Sequence, residues 1–209
     1  MLLALGFLAP AGPARADTAA RLLAELRGAY AGVEDLEARF VQTSRMAGSG
    51  LEQEARGRVV LRRGGKMRWT YEGDDPQEIV SDGTTLWIYQ VRDRTVIRQD
   101  LASLSPTARV ALDLLGGLEG VEDLFALGSC GERCLVLTPR DPDTDIRRVE
   151  IELAPDRPRV RSVTTEDLLG NRTRVTFEDV RTNVGVPDEA FAFRVPGGVQ
   201  VVGGGDALR

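Results

Sequence analysis

The sequence predicts a mainly β protein in which a long antiparallel sheet curls around one apolar face and helical segments cover that face. Two observations support this fold class. Short runs that alternate apolar and polar residues follow one another through most of the 209 residues, with turn formers between them. Helical spacing of apolar residues is confined to two segments, residues 17–30 and 101–128. Because no crossover helices separate most of the strands, successive strands should pair as antiparallel neighbours.

The N-terminal residues 1–16 have the composition of a secretory signal. A short apolar stretch is followed by Pro10, Pro13 and the triplet Ala14-Arg15-Ala16, whose small residues match a cleavage site before Asp17. The apolar stretch lacks the basic residue that normally precedes it. We expect residues 1–16 to be removed on export and residues 17–209 to form a single domain.

The exported chain should begin with one amphipathic helix. Asp17 or Thr18 can serve as its N-cap, and apolar residues then recur at spacings of three and four. These residues are Leu22, Leu23, Leu26 and Tyr30. From Leu36 the spacing changes to alternation, which predicts the first strand.

Residues 57–90 predict two β-hairpins that share an unusually bulky apolar face. Their strands are expected at residues 57–63, 66–71, 78–81 and 85–90. Because side chains of a strand alternate between its two faces, one face should collect the large apolar residues. These are Val59, Leu61, Met67, Trp69, Tyr71, Ile79, Trp87 and Tyr89. Either a filled core or a cavity for an apolar ligand is consistent with this pattern.

Further strands should continue the sheet to the end of the chain. We predict them at residues 95–99, 134–138, 146–153, 160–165, 172–180 and 191–195. The segment 101–128, which follows the first of these, has Pro106 near its start and helical spacing at Val110, Leu114 and Leu115. It predicts a second helical cover for the sheet.

Charge and composition argue against several kinds of partner. The chain has a formal net charge of −5, and an acidic protein repels a polyphosphate, so no nucleic acid is expected. A basic cluster between Arg56 and Arg68 is followed directly by acidic residues, which favours a solvated outer face of a hairpin. No run of 18 apolar residues follows the N-terminal stretch, so the exported chain should not span a membrane.

Catalytic chemistry has little support in the sequence. The chain contains no His, which removes the commonest general base. The acid pairs Asp74-Asp75 and Glu166-Asp167 adjoin turn residues and are interpreted as solvated loop acids. Since no phosphate-binding glycine motif or nucleophile elbow is present either, we expect neither an enzyme nor a cofactor.

Cys130 and Cys134 are the two cysteines of the chain. Their spacing is a poor metal signature in a chain without His, so no metal site is expected. Export would favour a structural disulfide across a tight hairpin over redox chemistry, and the sequence alone leaves both possible.

Several short motifs occur in a defined order along residues 17–202. They are Phe40-Val41-Gln42, Gly57, Arg62-Arg63, Met67-Arg68-Trp69, Pro76, the run from Ile79 to Tyr89, Phe191-Ala192-Phe193 and Pro196-Gly197-Gly198-Val199. Together they resemble the LolA family of periplasmic outer-membrane lipoprotein carriers. The chain departs from that family in its cysteine pair and in Gly64-Gly65, where the family usually has Pro after the turn arginine.

The resemblance implies an open, incomplete antiparallel β-barrel, or half-barrel, with a helical lid over its concave apolar face. Leu22, Leu23 and Leu26 would belong to the lid, and the bulky apolar residues of strands 57–90 would line a cavity for acyl chains. Arg63 matches the family's latch position, where an arginine of the sheet hydrogen-bonds the lid and holds the empty cavity shut. Whether Arg62 or Arg63 faces inward depends on the strand register.

The function that the resemblance implies is that of a monomeric periplasmic chaperone, which carries acylated lipoproteins from the inner to the outer membrane. The implied partners are an inner-membrane lipoprotein-releasing ABC transporter and an outer-membrane lipoprotein receptor. The alternative is a periplasmic lipid-binding or envelope-stress sensor module on the same fold, which does not deliver lipoproteins.

Overall fold

The computed structural model describes residues 13–103, 118–157 and 159–203, and within these ranges the strands form one 12-stranded sheet. The strands are β1 (Asp35–Arg45), β2 (Glu52–Arg62), β3 (Lys66–Glu72), β4 (Gln77–Asp82), β5 (Thr85–Gln90), β6 (Thr95–Asp100), β7 (Phe125–Gly131), β8 (Cys134–Pro139), β9 (Ile146–Leu153), β10 (Val160–Asp167), β11 (Arg172–Thr182) and β12 (Gln200–Gly203). The helices are α1 (Pro13–Tyr30) and α2 (Val121–Leu124), with short 3-10 turns at Leu101–Ser103 and Asp188–Phe191.

The sheet is open and almost entirely antiparallel. Its spatial order is β12-β6-β5-β4-β3-β2-β1-β11-β10-β9-β8-β7, and only the pairing of β12 with β6 is parallel. Strands that follow one another in sequence are neighbours in the sheet, except for β6 and β7 and for β11 and β12. The two halves of the chain are joined where β1 pairs with β11, and β12 returns to β6. This arrangement confirms the predicted mainly β, open antiparallel fold.

The centre of the sheet is formed by β1 and its two neighbours. β2 begins at Glu52 rather than at residue 57, so that it pairs with β1 from Asp35 to Arg45. Phe40 lies opposite Gly57, where an added Cβ would lie 2.8 Å from the Phe40 ring and 2.0 Å from the carbonyl oxygen of Thr70. Only glycine leaves room for the Phe40 ring at this position.

The core lies on one face of the sheet, beneath α1. Leu22, Leu23 and Leu26 are at most 2% exposed, and they belong to one buried cluster with residues of β1, β2, β3 and β7–β10. The backbone of α1 runs closest to β7 and β8. The predicted helical cover of the apolar face is therefore present at α1.

The helix α1 begins at Pro13 rather than at a cap on Asp17 or Thr18. Proline is favoured in the first turn of a helix because its missing N–H would have no partner there, and Ala14 and Ala16 are good helix formers. The helix therefore crosses the predicted cleavage site before Asp17. Residues 1–12 lie outside the described residues, so export remains a prediction.

The predicted second helix is wrong over residues 125–128. In the described part of this segment, helical structure consists of the 3-10 turn Leu101–Ser103 and of Val121–Leu124. The chain then enters β7, in which Phe125 and Leu127 lie opposite Pro139 and Leu137. A short apolar run fits the period of a helix and the period of a strand equally well, and here pairing with β8 stabilises the strand. The predicted helical positions Val110, Leu114 and Leu115 lie outside the described residues.

The predicted last strand at residues 191–195 is also wrong. A 3-10 turn ends at Phe191, and the chain pairs with the sheet only from Gln200, where β12 joins β6. Residues 183–203 instead cross the face of the sheet opposite α1. We call this segment the C-terminal strap.

Candidate functional site

The concave face of the sheet carries a continuous apolar stripe. Cross-strand pairs place Val59 opposite Trp69, Trp69 opposite Ile79, and Ile79 opposite Ile88, so these four side chains share one face. Val59 is fully buried, whereas Trp69, Ile79 and Ile88 are half-buried and pack against the main cluster. The stripe therefore runs from a closed core to a partly open apolar surface.

An aromatic group forms the centre of this stripe. The ring centroid of Phe40 lies 4.9 Å from those of Trp69 and Tyr71, in edge-to-face arrangements, and Trp69 lies 6.0 Å from Phe177. The hydroxyl of Tyr71 donates a hydrogen bond of 3.0 Å to Oε1 of Gln42. Burial raises the pKa of Tyr71, so this phenol stays neutral at physiological pH.

The predicted cavity residues separate into two sets by exposure. Val59, Leu61 and Met67 are at most 7% exposed and belong to the closed core with the α1 leucines. Trp69, Tyr71 and Ile79 are half-buried. Only the second set presents apolar surface that a ligand could contact without unpacking the core.

The prediction that Trp87 and Tyr89 line the same face is wrong. Trp87 lies opposite Val80 and Tyr89 opposite Glu78, which places both on the convex face. Their rings lie 5.9 and 6.1 Å from that of Phe193 in the C-terminal strap. Every residue from Leu86 to Tyr89 is apolar, so alternation could not assign their faces.

Sequence reasoning missed several residues of the concave face. Phe40 and Phe177 lie opposite each other on β1 and β11, and Leu86 and Ile88 take the inward positions of β5. For Phe177 a signal exists, because Val175 and Phe177 alternate with charged and polar residues along β11. The partner strand of β1 could not be found in this way, since β11 is distant from it in the sequence.

Arg63 attaches the sheet to the C-terminal end of α1. Its guanidinium donates hydrogen bonds to the carbonyl oxygens of Tyr30 (2.6 Å), Ala31 (3.0 Å) and Val33 (2.7 Å). Tyr30 is the last residue of α1, where the helix carries partial negative charge, and Ala31 and Val33 follow it, so a forked cation suits this end of the helix. The geometry fits the predicted latch, whose role in opening remains a prediction.

Three other contacts hold α1 along its length. Arg27 forms a bidentate ion pair with Glu122 (2.7 and 2.8 Å) and donates to the carbonyl of Leu118 (3.0 Å). The hydrogen bonds from Arg27 lower the pKa of Glu122. Arg21 donates to the carbonyl of Glu132 (3.1 Å), and the hydroxyl of Tyr30 accepts from the Val160 N–H (3.2 Å).

Arg62 faces the opposite way from Arg63 and contacts the C-terminal strap. It donates to the carbonyl of Val186 (3.2 Å) and forms an ion pair with Asp188 (3.1 Å), which also pairs with Lys66. Arg68 donates to the carbonyls of Ala190 (2.7 Å) and Ala192 (2.9 Å). The basic cluster, predicted to be a solvated outer face, is thus partly covered, and three of its members hold the strap.

A buried carboxylate anchors the start of the strap. Asp35 is 5% exposed and accepts hydrogen bonds from the backbone N–H groups of Val184 (2.7 Å), Gly185 (3.1 Å) and Val186 (3.1 Å). Successive N–H groups that converge on one anion satisfy its charge away from water. Asp35 therefore ties the strap to the first residue of β1.

Cys130 and Cys134 form a disulfide across the β7–β8 turn, with Cα atoms 5.1 Å apart. Glu132, whose carbonyl accepts from Arg21 of α1, lies within this closed turn. Arg133, in the same turn, donates to the carbonyls of Ala154 (2.7 Å) and Arg157 (3.1 Å). The disulfide therefore stabilises a turn that contacts both the helix and the β9–β10 connection.

A pocket of about 300 Å³ lies where β10 and β11 diverge. These strands pair only between Ser162–Glu166 and Arg172–Thr176, and the pocket is lined beyond that ladder by Val160, Arg161 and Phe177, among others. The wall of the half-barrel is incomplete at this level.

Two other kinds of feature, a metal-binding cluster and a membrane-spanning helix, are absent from the described part of the chain. Within it, no three His, Cys, Asp or Glu side chains are grouped so that they could hold a metal ion. Likewise, none of the described helices combines the length and apolar character that crossing a bilayer requires.

Comparison with known proteins gives a consistent family. Residues 31–194 match the family model described as "Outer membrane lipoprotein carrier protein LolA". The chain is 32% identical to an outer-membrane lipoprotein carrier protein of Chromobacterium violaceum, over 93% of this chain and 91% of that protein. A protein of the same name from Alkalilimnicola ehrlichii is 33% identical, over 100% of this chain and 96% of its own length.

The fold recurs in a solved structure of low sequence identity. An uncharacterized conserved protein from Thermus thermophilus superposes with a TM-score of 0.52 and 14% identity, over 89% of this chain and 99% of that one. At this identity the likeness concerns the fold alone.

Proposed function

Since the chain belongs to the LolA family of outer-membrane lipoprotein carrier proteins, we propose that it is a periplasmic chaperone for acylated lipoproteins. It holds their acyl chains against the concave face of its half-barrel and carries them from the inner to the outer membrane. The donor would be an inner-membrane lipoprotein-releasing ABC transporter and the acceptor an outer-membrane lipoprotein receptor. The protein would act as a single exported domain and not as an enzyme.

The half-buried aromatic group of the concave face is the observation that supports this proposal most directly. Trp69, Tyr71 and Phe177 adjoin the closed core on one side and keep part of their surface exposed on the other. Each acyl methylene removed from water contributes about 0.8 kcal/mol, so a continuous apolar wall can hold a chain that water would exclude. Of the eight residues predicted to line the cavity, Trp69, Tyr71 and Ile79 would therefore contact the ligand.

Release requires that the apolar surface have a second occupant. The leucines of α1 belong to the same cluster as the stripe, so displacement of α1 would expose additional apolar area for acyl chains. Return of the helix would then compete with the bound chains and keep their affinity below what the contact area predicts. Arg63 would bias this equilibrium towards the closed form through its three carbonyl contacts.

The two tryptophans allow a direct test, because they lie on opposite faces of the sheet. In a Trp87→Phe variant all tryptophan fluorescence comes from Trp69, and in a Trp69→Phe variant it comes from Trp87. A triacylated lipopeptide with brominated acyl chains should quench Trp69 strongly and Trp87 weakly, because heavy-atom quenching requires contact. Titration of each variant with the same lipopeptide measures both effects.

Equal quenching of the two tryptophans, or quenching of Trp87 alone, would reject the concave face as the acyl site. A lipopeptide without acyl chains serves as the ligand control and should quench neither residue.

The latch is tested by Arg63→Leu, with Arg62→Leu as the matched control on the opposite face. Hydrogen bonds to a charged group contribute about 1.5–3 kcal/mol, so loss of Arg63 should raise the opening equilibrium of α1 by about tenfold or more. Amide hydrogen exchange should be faster in residues 19–33 of the Arg63 variant, and its bound lipoprotein should resist discharge. Arg62→Leu should accelerate exchange in the strap instead. Unchanged exchange and discharge in Arg63→Leu would exclude the latch role.

A further inference from the structure

Two neighbouring hairpin tips expose large aliphatic side chains. Met46 and Leu51, at the β1–β2 turn, are each 51% exposed, and Leu168 and Leu169, at the β10–β11 turn, are 54% and 82% exposed. We call these four residues the apolar tips. Turn residues are usually polar, and clustered exposed apolar groups generally mark an interaction surface.

Hydrogen bonds connect the two turns into one surface. The N–H of Ala47 donates to the side-chain carbonyl of Asn171 (3.0 Å), which links the turns to each other. Asn171 is held in turn by Asp167, at 2.8 Å through its N–H and 2.7 Å through its side-chain amide. The N–H of Gly50 donates to the carbonyl of Met46 (2.8 Å). These contacts fix the backbone that presents the aliphatic side chains.

The apolar tips stand at the end of β1 that is remote from the latch. The buried part of β1 begins at Asp35 and Leu36, near the Arg63 contacts, Phe40 lies in the aromatic group, and Met46 follows the last residue of the strand. Between Phe40 and Met46 the inward residues Gln42 and Ser44 are half-buried. The tips therefore lie beyond the less buried end of the concave face.

Among the arginines described near the tips, Arg45 differs from the others in having no protein partner. Glu166 pairs with Arg148 (3.0 Å) and Arg172 (3.2 Å), while Arg147 donates to the carbonyl of Leu168 (3.1 Å). Arg45 is exposed, and within the described residues its side chain forms no ion pair or hydrogen bond. Arg45 directly precedes Met46 in the chain, and a long basic side chain there could reach a lipid phosphate if the tips entered a bilayer.

We propose that the apolar tips insert into the interfacial region of a lipid bilayer and orient the less buried end of the concave face towards the membrane. All four side chains are aliphatic, whereas the anchors of protein interfaces are enriched in Trp, Tyr and Arg and poor in Leu. A protein partner would need a pocket that matches these protruding turns, whereas the fluid hydrocarbon of a bilayer can accept them without one. Four partly inserted side chains bind weakly, since even a single myristoyl chain gives only marginal attachment. The contact is therefore transient, as a carrier between two membranes requires.

Cosedimentation of the full exported chain with phosphatidylcholine vesicles tests the proposal. The wild-type protein should show weak but measurable binding, and Leu168→Ser combined with Leu169→Ser should lower the partition constant about tenfold. Val201→Ser is the matched control, because Val201 is 48% exposed on β12, away from the tips. Circular dichroism melts of all three proteins verify that each remains folded.

Four results would overturn the proposal. The first two are a wild-type protein that does not bind vesicles and an equal loss of binding in Val201→Ser. The third is binding that appears only when phosphatidylglycerol is added, which would indicate headgroup charge instead of apolar insertion. The fourth is unchanged vesicle binding in the double variant, and if lipoprotein delivery fails in that variant, the tips contact a protein. Quenching of Trp69 by a brominated lipopeptide is measured without vesicles, so failure of the membrane contact and failure of the acyl site can be told apart.

Discussion

The helix α1 covers the concave face of the sheet, and the C-terminal strap covers the convex face. Residues of the β2–β3 hairpin contact both covering segments. On the concave face, Arg63 contacts three carbonyls at the end of α1. On the convex face, Arg62, Lys66 and Arg68 hold the C-terminal strap, which is also anchored by Asp35 and by the pairing of β12 with β6.

Under the proposed function, this difference separates a removable cover, α1, from a permanent one, the strap. No strand pairing links α1 to the sheet, and its apolar contacts could be replaced by another apolar group. The strap adds a strand ladder and the buried Phe191, which is 1% exposed. Under the proposed function, a ligand that offers hydrocarbon would displace α1 but would have nothing equivalent to exchange for the strap.

The largest effect is expected when the strap loses its buried ring. Phe191→Ala should lower the free energy of unfolding by about 3–4 kcal/mol, because a fully buried aromatic ring leaves a cavity. Phe193→Ala removes only a half-buried ring and should cost about 1 kcal/mol. Urea denaturation of both variants measures the difference. If the Phe191 variant is as stable as the wild type, the strap is not the permanent cover.

A smaller effect is expected from the disulfide, which acts on the side of the removable cover. Replacing Cys130 and Cys134 together with Ser should cost about 2 kcal/mol, the chain-entropy value for so short a loop. Because Glu132 in this turn contacts Arg21, hydrogen exchange in the first half of α1 should also become faster. Exchange that changes only in β7 and β8 would show that the turn does not support the helix.

The smallest effect on the two covers is expected when the pH is lowered. Hydrogen bonding from Lys66, together with the charge of Arg62, holds the pKa of Asp188 below its ordinary value of 3.8. A carboxyl with a depressed pKa contributes stability above its unfolded value and loses it as the pH falls through the folded value. NMR shifts of strap amides should therefore change below pH 3.8, and Asp188→Asn should abolish that change. The carbonyl contacts of Arg63 do not titrate and should persist in acid, whereas protonation of Glu122 would release Arg27 from its ion pair at the same end of α1.

Strand-level prediction succeeded where alternation was clear and turns were marked. The hairpin around Asp82-Gly83 and the inward positions of Val59, Leu61 and Met67 follow from period two, because one buried face leaves a readable pattern. Trp87 and Tyr89 were misplaced because β5 is apolar on both faces, one against the core and one under the strap. Part of the strap was predicted to be a strand, since an extended segment and a paired strand have similar composition.

The sequence by itself determined a mainly β chain, one amphipathic helix and a family whose motifs are spread along its length, because these depend on local period, turn chemistry and residue order. Only the tertiary structure decided which residues of each apolar strand face inward, that β11 pairs with β1, that Arg62 and Arg63 hold opposite covers, and that two distant hairpin turns form the apolar tips. These features depend on contacts between segments far apart in the chain, and local sequence preferences do not specify such contacts.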